Sequence, residues 1–236
     1  MRILSTAFLG ACGLAFATPG QAVTTVLDFS GNICGPGGNQ VCGDGTEIGQ
    51  NYGDGVGVDV SHRSFTTATG VTAEPFLKTW NANYGDLVRV VWGGFGPTGQ
   101  TSEITFAALA GYELRILGFD GGCYLNRSTC RNFPFTISEI GGAQLAGGAI
   151  TPPAGGHDTL TFGLGYSQSG YVLRWGPDGY DGGLDNIAFD VRAIGAGAVP
   201  EPASWGLLIL GFGAIGGAMR RRSSGSGAAK ARLSFA

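Results

Sequence analysis

The chain has 236 residues, 45 of them glycine, with 43% hydrophobic and 13% charged residues and a formal net charge of −3. That small total hides a split: Val23 to Val199 holds 8 Lys and Arg against 16 Asp and Glu, whereas Arg220 onward holds 5 basic residues and no acidic one. A body at −8 excludes nucleic acid as the partner, since phosphate backbones are gripped by basic surfaces, and it suits a soluble exterior domain and divalent cations.

The chain opens with Met1-Arg2, one positive charge, and then runs apolar and small from Ile3 to Ala17. Pro19-Gly20 breaks the run, and Gly20-Gln21-Ala22 offers the small-x-small pattern that signal peptidase reads. This is the three-part layout of a secretory signal peptide, with cleavage expected after Ala22. Leu9-Gly10-Ala11-Cys12 resembles a lipobox, but it would leave only eleven residues before the cysteine, too few for a charged region plus an apolar one.

With Cys12 removed in the signal, four cysteines remain as two close pairs, Cys34 with Cys42 and Cys123 with Cys130. An even count in an exported chain reads as disulfides, and four cysteines allow three connectivities. The two local pairings are favoured, because each closes a short polar or glycine-rich loop. One four-cysteine zinc site is the alternative, although these spacings are wider than the usual zinc knuckles.

From Val23 to Ala193 the hydrophobic period is two, the period of strands with one buried face. Thr25 to Phe29 and Val56 to Val60 are the first candidates. Val88, Val90 and Trp92 then share a phase, as do Ile104 and Phe106, and Tyr112, Leu114 and Ile116. Phe133, Phe135 and Ile137 follow, then Leu160, Phe162 and Leu164, Tyr171, Leu173 and Trp175, and Ile187, Phe189 and Val191. No ten-residue stretch between the two ends has helical periodicity. About eight to ten short strands joined by Gly, Pro and Asp turns predict an all-β fold, an antiparallel β-sandwich or jelly roll. A β-helix is the alternative, without a fixed repeat to support it.

The expected organisation is a signal peptide at 1–22, the β-sandwich ectodomain at 23–193, a Gly/Ala linker at 194–199, a sorting and anchor segment at 200–222 and a polar extension at 223–236. Ala203 to Met219 is 17 uncharged, mostly apolar residues, the low end of what spans a bilayer core. Arg220-Arg221-Arg222 closes it, and such arginines belong on the cytoplasmic side. A single C-terminal transmembrane helix is therefore expected, with the body outside. Gly211 to Gly216 matches G-x-G-x-x-G, but without a preceding strand it reads as small residues in a helix, not as a nucleotide loop.

Three features bear on chemistry. Ser167 sits in an incomplete G-x-S-x-G, with Ser169 where the second glycine should stand, and the only histidines, His62 and His157, read as surface residues. No Ser-His-Asp site is expected, and catalytic residues are assigned to none. Asp178, Asp181 and Asp185 crowd the turn before the last strand. Asp28 and Asp185, where first and last strands are expected to meet, are the natural pair for one structural calcium ion of the kind carbohydrate-binding sandwich domains hold. The alternative is ordinary Asp-Gly turn residues. Trp80, Tyr84 and Tyr180 lie in loop-like stretches and are candidates for a sugar-stacking platform. Trp92 and Trp175 fall on the apolar phase of strands.

Val199-Pro200-Glu201-Pro202-Ala203-Ser204-Trp205, the apolar span and Arg220-Arg221-Arg222 resemble a PEP-CTERM sorting domain, most closely the variant written P-E-P-x-x-W-A. The resemblance covers about 25 residues and rests on Pro200, Glu201, Pro202, Trp205, Arg220, Arg221 and Arg222. It implies recognition by an exosortase, a membrane transpeptidase, after transient insertion in the inner membrane. It also implies delivery to the surface or exterior, often among exopolysaccharide and biofilm. Gly206 stands where the variant has Ala, and 14 residues follow Arg222 where such tails usually stop. Gly182-Gly183-Leu184-Asp185-Asn186-Ile187-Ala188-Phe189 resembles the G-x-x-D-N-I-x-F ending of β-rich modules ahead of these tails. The function expected is an exported surface-matrix protein, not an enzyme. A glycan-binding module and a secreted glycan-active hydrolase are the alternatives, the latter needing two carboxylates across a cleft.

Overall fold

The computed structural model describes residues 21–93, 99–177 and 180–195, and, in the C-terminal segment, 206, 209–213, 215 and 220. Twelve strands are described: β1 (Val23–Leu27), β2 (Val58–Thr66), β3 (Thr72–Glu74), β4 (Lys78–Trp80), β5 (Val90–Trp92) and β6 (Gln100–Ala108). They continue with β7 (Tyr112–Cys123), β8 (Phe133–Glu139), β9 (Gln144–Ile150), β10 (Asp158–Thr161), β11 (Gly170–Trp175) and β12 (Gly182–Ala193). All pairings are antiparallel.

One sheet runs β10-β7-β12-β5-β4, and β1 also pairs with β12; the other runs β3-β2-β6-β11-β8-β9. The long β12 lies along β7 on one edge and shares its other edge between β1, where Leu27 faces Ile187, and β5, where Val91 faces Leu184. The inward residues of both sheets make one apolar core. Leu27, Leu114, Ile116 and Phe189 come from the first sheet, and Val60, Phe106, Ile137 and Leu173 from the second. Alternation at period two is what lets each sheet bury one face while wetting the other. Trp175 joins the core completely because its indole N–H finds the Gly182 carbonyl at 3.0 Å.

Several expectations change in detail. β2 begins at Val58 and continues to Thr66, so Val58, Val60, His62 and Ser64 all point inward. His62, expected at the surface, is therefore 2% exposed; the polar stretch around it masks the phase it shares with the valines. Val88, expected to share the phase of Val90 and Trp92, is 80% exposed, because β5 starts only at Val90.

Both local disulfides form, Cys34–Cys42 and Cys123–Cys130. With loops of 8 and 7 residues, each is worth about 2–3 kcal/mol by restricting the unfolded chain. The contacts divide the chain into two units, Met1–Ala196 and Gly197–Ala236. In the second, Gly206, Ile209 to Gly213, Ile215 and Arg220 are helical. Among the described residues no helix is long and apolar enough to cross a membrane. Residues 1–20 of the signal peptide, the linker from residue 196 and most of the sorting segment lie outside the described residues. Ala22, the expected cleavage residue, is exposed and immediately precedes β1.

Candidate functional site

The three aromatic residues proposed as a platform from sequence converge in space. Trp80 ends β4, Tyr84 follows in the next turn, and Tyr180 precedes β12. Trp92 and Tyr124 complete a cluster of five rings beside the main core. The rings meet edge to face: Trp80 and Trp92 at 6.1 Å and 70°, Trp80 and Tyr124 at 5.6 Å and 81°, Trp92 and Tyr180 at 5.1 Å and 87°. This matches the positive edge of one ring to the negative face of the next.

Tyr84 is not an exposed platform residue. It is 2% exposed, and its hydroxyl donates to the Tyr180 carbonyl at 2.9 Å. Gly183 makes room for it, since a Cβ there would come within 2.8 Å of the Tyr84 ring. Trp80, Tyr124 and Tyr180 are half-buried and form the outer rim. Only about 10 Å³ stays open between the five rings, so the rim, not an interior cavity, is the accessible surface. The guanidinium of Arg127 covers Tyr124 at 4.9 Å and donates to Asp181 at 2.8 Å. Asp181 also accepts from Thr129 at 2.6 Å, so this carboxylate clamps the Cys123–Cys130 loop under the rim.

Asp28 and Asp185 do meet, at the junction of β1 and β12. The register carries Leu27 opposite Ile187, and β12 bulges against β7 between Asp185 and Ala188. Phe29 and Asn186, the residues after each aspartate, have φ of 50° and 49°. The two carboxylates line a groove of about 500 Å³ with Ser30, Asp86, His157 and Asn186. Asp28 is held below the usual carboxylate range, first by the Ser30 N–H at 3.0 Å and further by the Ser30 and Tyr52 hydroxyls. Asp185 is 6% exposed. Burial, and then the charges of Asp120 and Asp28, push its carboxyl up to about 7 against the pull of the Asn186 N–H. His157, read from sequence as a surface residue, is half-buried. Its Nδ1 lies 2.7 Å from Asp86, which raises the imidazole and lowers the carboxylate.

Asp28, Asp185, Ser30 and Asn186 offer oxygens to this groove, the ligand type of a hard divalent cation, and Arg89 and His157 line it as well. Among the described residues no three His, Cys, Asp or Glu side chains gather as a ready ligand set. An ion held by Asp28 and Asp185 would therefore draw further oxygens from Ser30, Asn186 or backbone carbonyls. Asp178 lies outside the described residues. Ser167 is a turn residue: its buried hydroxyl donates to Glu139 and accepts from the Ser169 and Gly170 N–H groups at 3.2 and 3.0 Å.

At the other end of the chain, the family model described as the PEP-CTERM protein-sorting motif matches residues 198–222. The chain carries a PEP-CTERM sorting signal. Of its characteristic residues, Arg220 is helical and exposed; Pro200, Glu201, Pro202, Trp205, Arg221 and Arg222 lie outside the described residues. A PEP-CTERM signal marks an exported protein sorted through its C-terminus, and such motifs are processed by enzymes of the exosortase type.

No curated protein sequence matches the chain. Two solved structures are similar in part. One is the exo-beta-1,3-galactanase from Phanerochaete chrysosporium, at 15% identity over 56% of this chain and 29% of that one, with a TM-score of 0.28. The other is the enzymatically active domain of tailspike protein 4 from Bacteriophage CBA120, at 12% identity over 60% and 19%, with a TM-score of 0.25. The chain spans less than a third of either, and at these scores the likeness carries no argument about fold or activity.

Proposed function

We propose that the body is a non-enzymatic, glycan-binding β-sandwich that the PEP-CTERM signal delivers to an exopolysaccharide-rich cell surface. The observation that supports this reading is the aromatic rim. Three sequence-distant rings, Trp80, Tyr124 and Tyr180, are held half-exposed on a rigid edge-to-face stack. Aromatic faces match the apolar faces of sugar rings, and a pre-set stack loses little entropy when a ligand lands on it. In this reading the Asp28–Asp185 junction holds one calcium ion that stiffens the meeting of first and last strands. An exosortase-type transpeptidase acts on the tail while its helix is inserted in the inner membrane.

Two experiments test it. Purified exopolysaccharide should retain the full chain, and Trp80→Ala should weaken retention about tenfold, the scale of one lost stacking ring. Equal retention would remove Trp80 from the binding surface. For the tail, deletion of Pro200, Glu201 and Pro202 from a tagged chain should leave unprocessed precursor in the membrane fraction. Identical processing and distribution of the two forms would refute sorting by this motif.

A further inference from the structure

We infer that the outer face of the second sheet carries a groove for one carboxylate-bearing sugar residue of a polysaccharide, with Arg174 as its anion contact. The inference rests on the glycan-binding reading above and adds a second place and a ligand class to it. It starts from a row of residues that neighbouring strands place side by side. The register sets Arg63 of β2 opposite Glu103 of β6, Glu103 opposite Arg174 of β11, and Arg174 opposite Thr136 of β8. Their strand neighbours His62, Ile104, Leu173 and Ile137 are buried in the core, so the row faces outward.

Glu103 is nevertheless only 4% exposed, because two guanidiniums cover it. Arg63 Nε donates to one carboxylate oxygen and Arg174 Nε to the other at 2.6 Å. Burial alone would raise the Glu103 carboxyl; the two arginines outweigh it and hold it below the usual range. Two cations around one anion leave a local positive charge in a body whose overall balance is −8. Arg63 also uses Nη1, donating to Thr72 at 3.1 Å. Among the described residues Arg174 hydrogen-bonds only through Nε, which leaves its terminal nitrogens to present a fork of N–H groups. Such a fork matches the two oxygens of a carboxylate.

The next row supplies the cradle. Phe65 lies opposite Thr101, and both guanidiniums sit near the Phe65 ring, at 5.2 and 5.4 Å from its centroid. After Trp175 the chain continues as Gly176, at φ 122°, whose N–H donates to Pro134 O at 3.1 Å. Without a side chain at that point, the row is open between Thr101 and Pro134. The result is a groove of about 200 Å³ lined by Phe65, Thr67, Thr101, Pro134, Thr136 and Arg174. That is small for a drug-like ligand and of a size for one pyranose ring. Its walls divide as a sugar's surface does: an aromatic ring and a proline for the apolar face, and the Thr67 and Thr101 hydroxyls, 2.6 Å apart, for ring hydroxyls. A neutral sugar would leave the Arg174 fork unmatched, whereas a uronate would fill it.

The test titrates the full chain by calorimetry with polygalacturonate, with dextran and with poly-glutamate. Polygalacturonate should bind, more weakly as salt rises. Arg174→Ala should bind it at least tenfold more weakly, the scale of a charge-assisted contact. In that variant Arg63 still pairs with Glu103. Thr101→Val, which keeps the volume and removes one hydroxyl, should bind several-fold more weakly and serves if Arg174→Ala fails to fold. Arg131→Ala, an exposed loop arginine whose Nε donates to the Asn126 carbonyl, should bind as the natural chain does. Unchanged affinity in Arg174→Ala, an equal loss in Arg131→Ala, or equal binding of poly-glutamate would overturn the groove. If exopolysaccharide or dextran is bound through Trp80 while polygalacturonate is ignored, the groove fails and the glycan-binding reading stands. Binding of no glycan overturns both.

Discussion

At pH 8 in EDTA, Asp185→Asn is expected to unfold roughly 10 °C above the natural chain. The Asp185 carboxyl sits at about 7 in the fold and at 3.8 when free. Its folded value is raised, so its contribution is fully present below pH 3.8 and is lost as pH rises through 7. Ionising it in the fold therefore costs about 4 kcal/mol by pH 8. Asparagine keeps the side-chain oxygen that accepts from the Asn186 N–H at 2.8 Å and cannot ionise. The gain should shrink to about 1–2 kcal/mol at pH 5, where the natural carboxyl is protonated in the fold. The same pair of proteins tests the calcium assignment. Millimolar calcium should raise the melting temperature of the natural chain at pH 8 and leave Asp185→Asn unmoved. Equal melting of the two proteins in EDTA would clear Asp185 of strain, and no calcium shift in the natural chain would sink the ion.

His62 should give the opposite slope. Burial pushes its imidazole from 6.5 down to about 4, and neither ring nitrogen has a hydrogen-bond partner among the described residues. The folded pKa is depressed, so the unfolded chain takes up a proton first as pH falls below 6.5. Stability is then lost down to pH 4, by about 3 kcal/mol in total. His62→Leu removes that loss and also removes two buried polar atoms without partners, so at pH 7 it should be at least as stable as the natural chain. Between about pH 4 and 6.5 the two effects oppose. The fold holds a proton on Asp185 that the unfolded chain lacks, and lacks one on His62 that the unfolded chain holds. The natural chain should therefore show a nearly flat contribution from this pair. Urea titrations across that range should slope down toward alkali in His62→Leu and down toward acid in Asp185→Asn. Parallel profiles for all three proteins would show that neither group is displaced from its free value.

How much of this was legible beforehand depends on range along the chain. The long strands β7, β8, β11 and β12 announce themselves through runs such as Phe133-Phe135-Ile137, because burial of one face repeats every second residue. The disulfides were legible because each closes within eight residues. β3 and β4 were not readable, since three residues cannot display a period, whereas β5 was legible through Val90 and Trp92, with Val88 added before the strand begins. β9 is Gln-Leu-Ala-Gly-Gly-Ala-Ile, exposed along most of its length, so nothing apolar marks it. The meeting of Asp28 with Asp185 followed from expecting the first and last strands to pair. Tyr84 differs from Trp80 and Tyr180 only in packing under Gly183 and Gly122, which no local pattern reveals. The Arg63–Glu103–Arg174 row is three strands wide and exists only once register is known. His62 shows the same limit in reverse: a polar stretch hides an inward phase that the continuation of β2 imposes.

The place of β12 sets an order of events. It is the last strand of the body and yet lies inside its sheet, with β7 on one edge and β1 and β5 on the other. A chain delivered from its N-terminus cannot finish that sheet until Ala193 has emerged, and the sorting signal begins only a few residues later. Strands that wait for distant partners close slowly. Without β12 the first sheet lacks both its β7–β12 and its β1–β12 pairings, so the body reaches its full fold only after nearly all of it has emerged. On the sorting route proposed above, completing the sheet and presenting the tail become nearly one moment, so a chain whose tail is offered for processing is one whose last strand is already in hand.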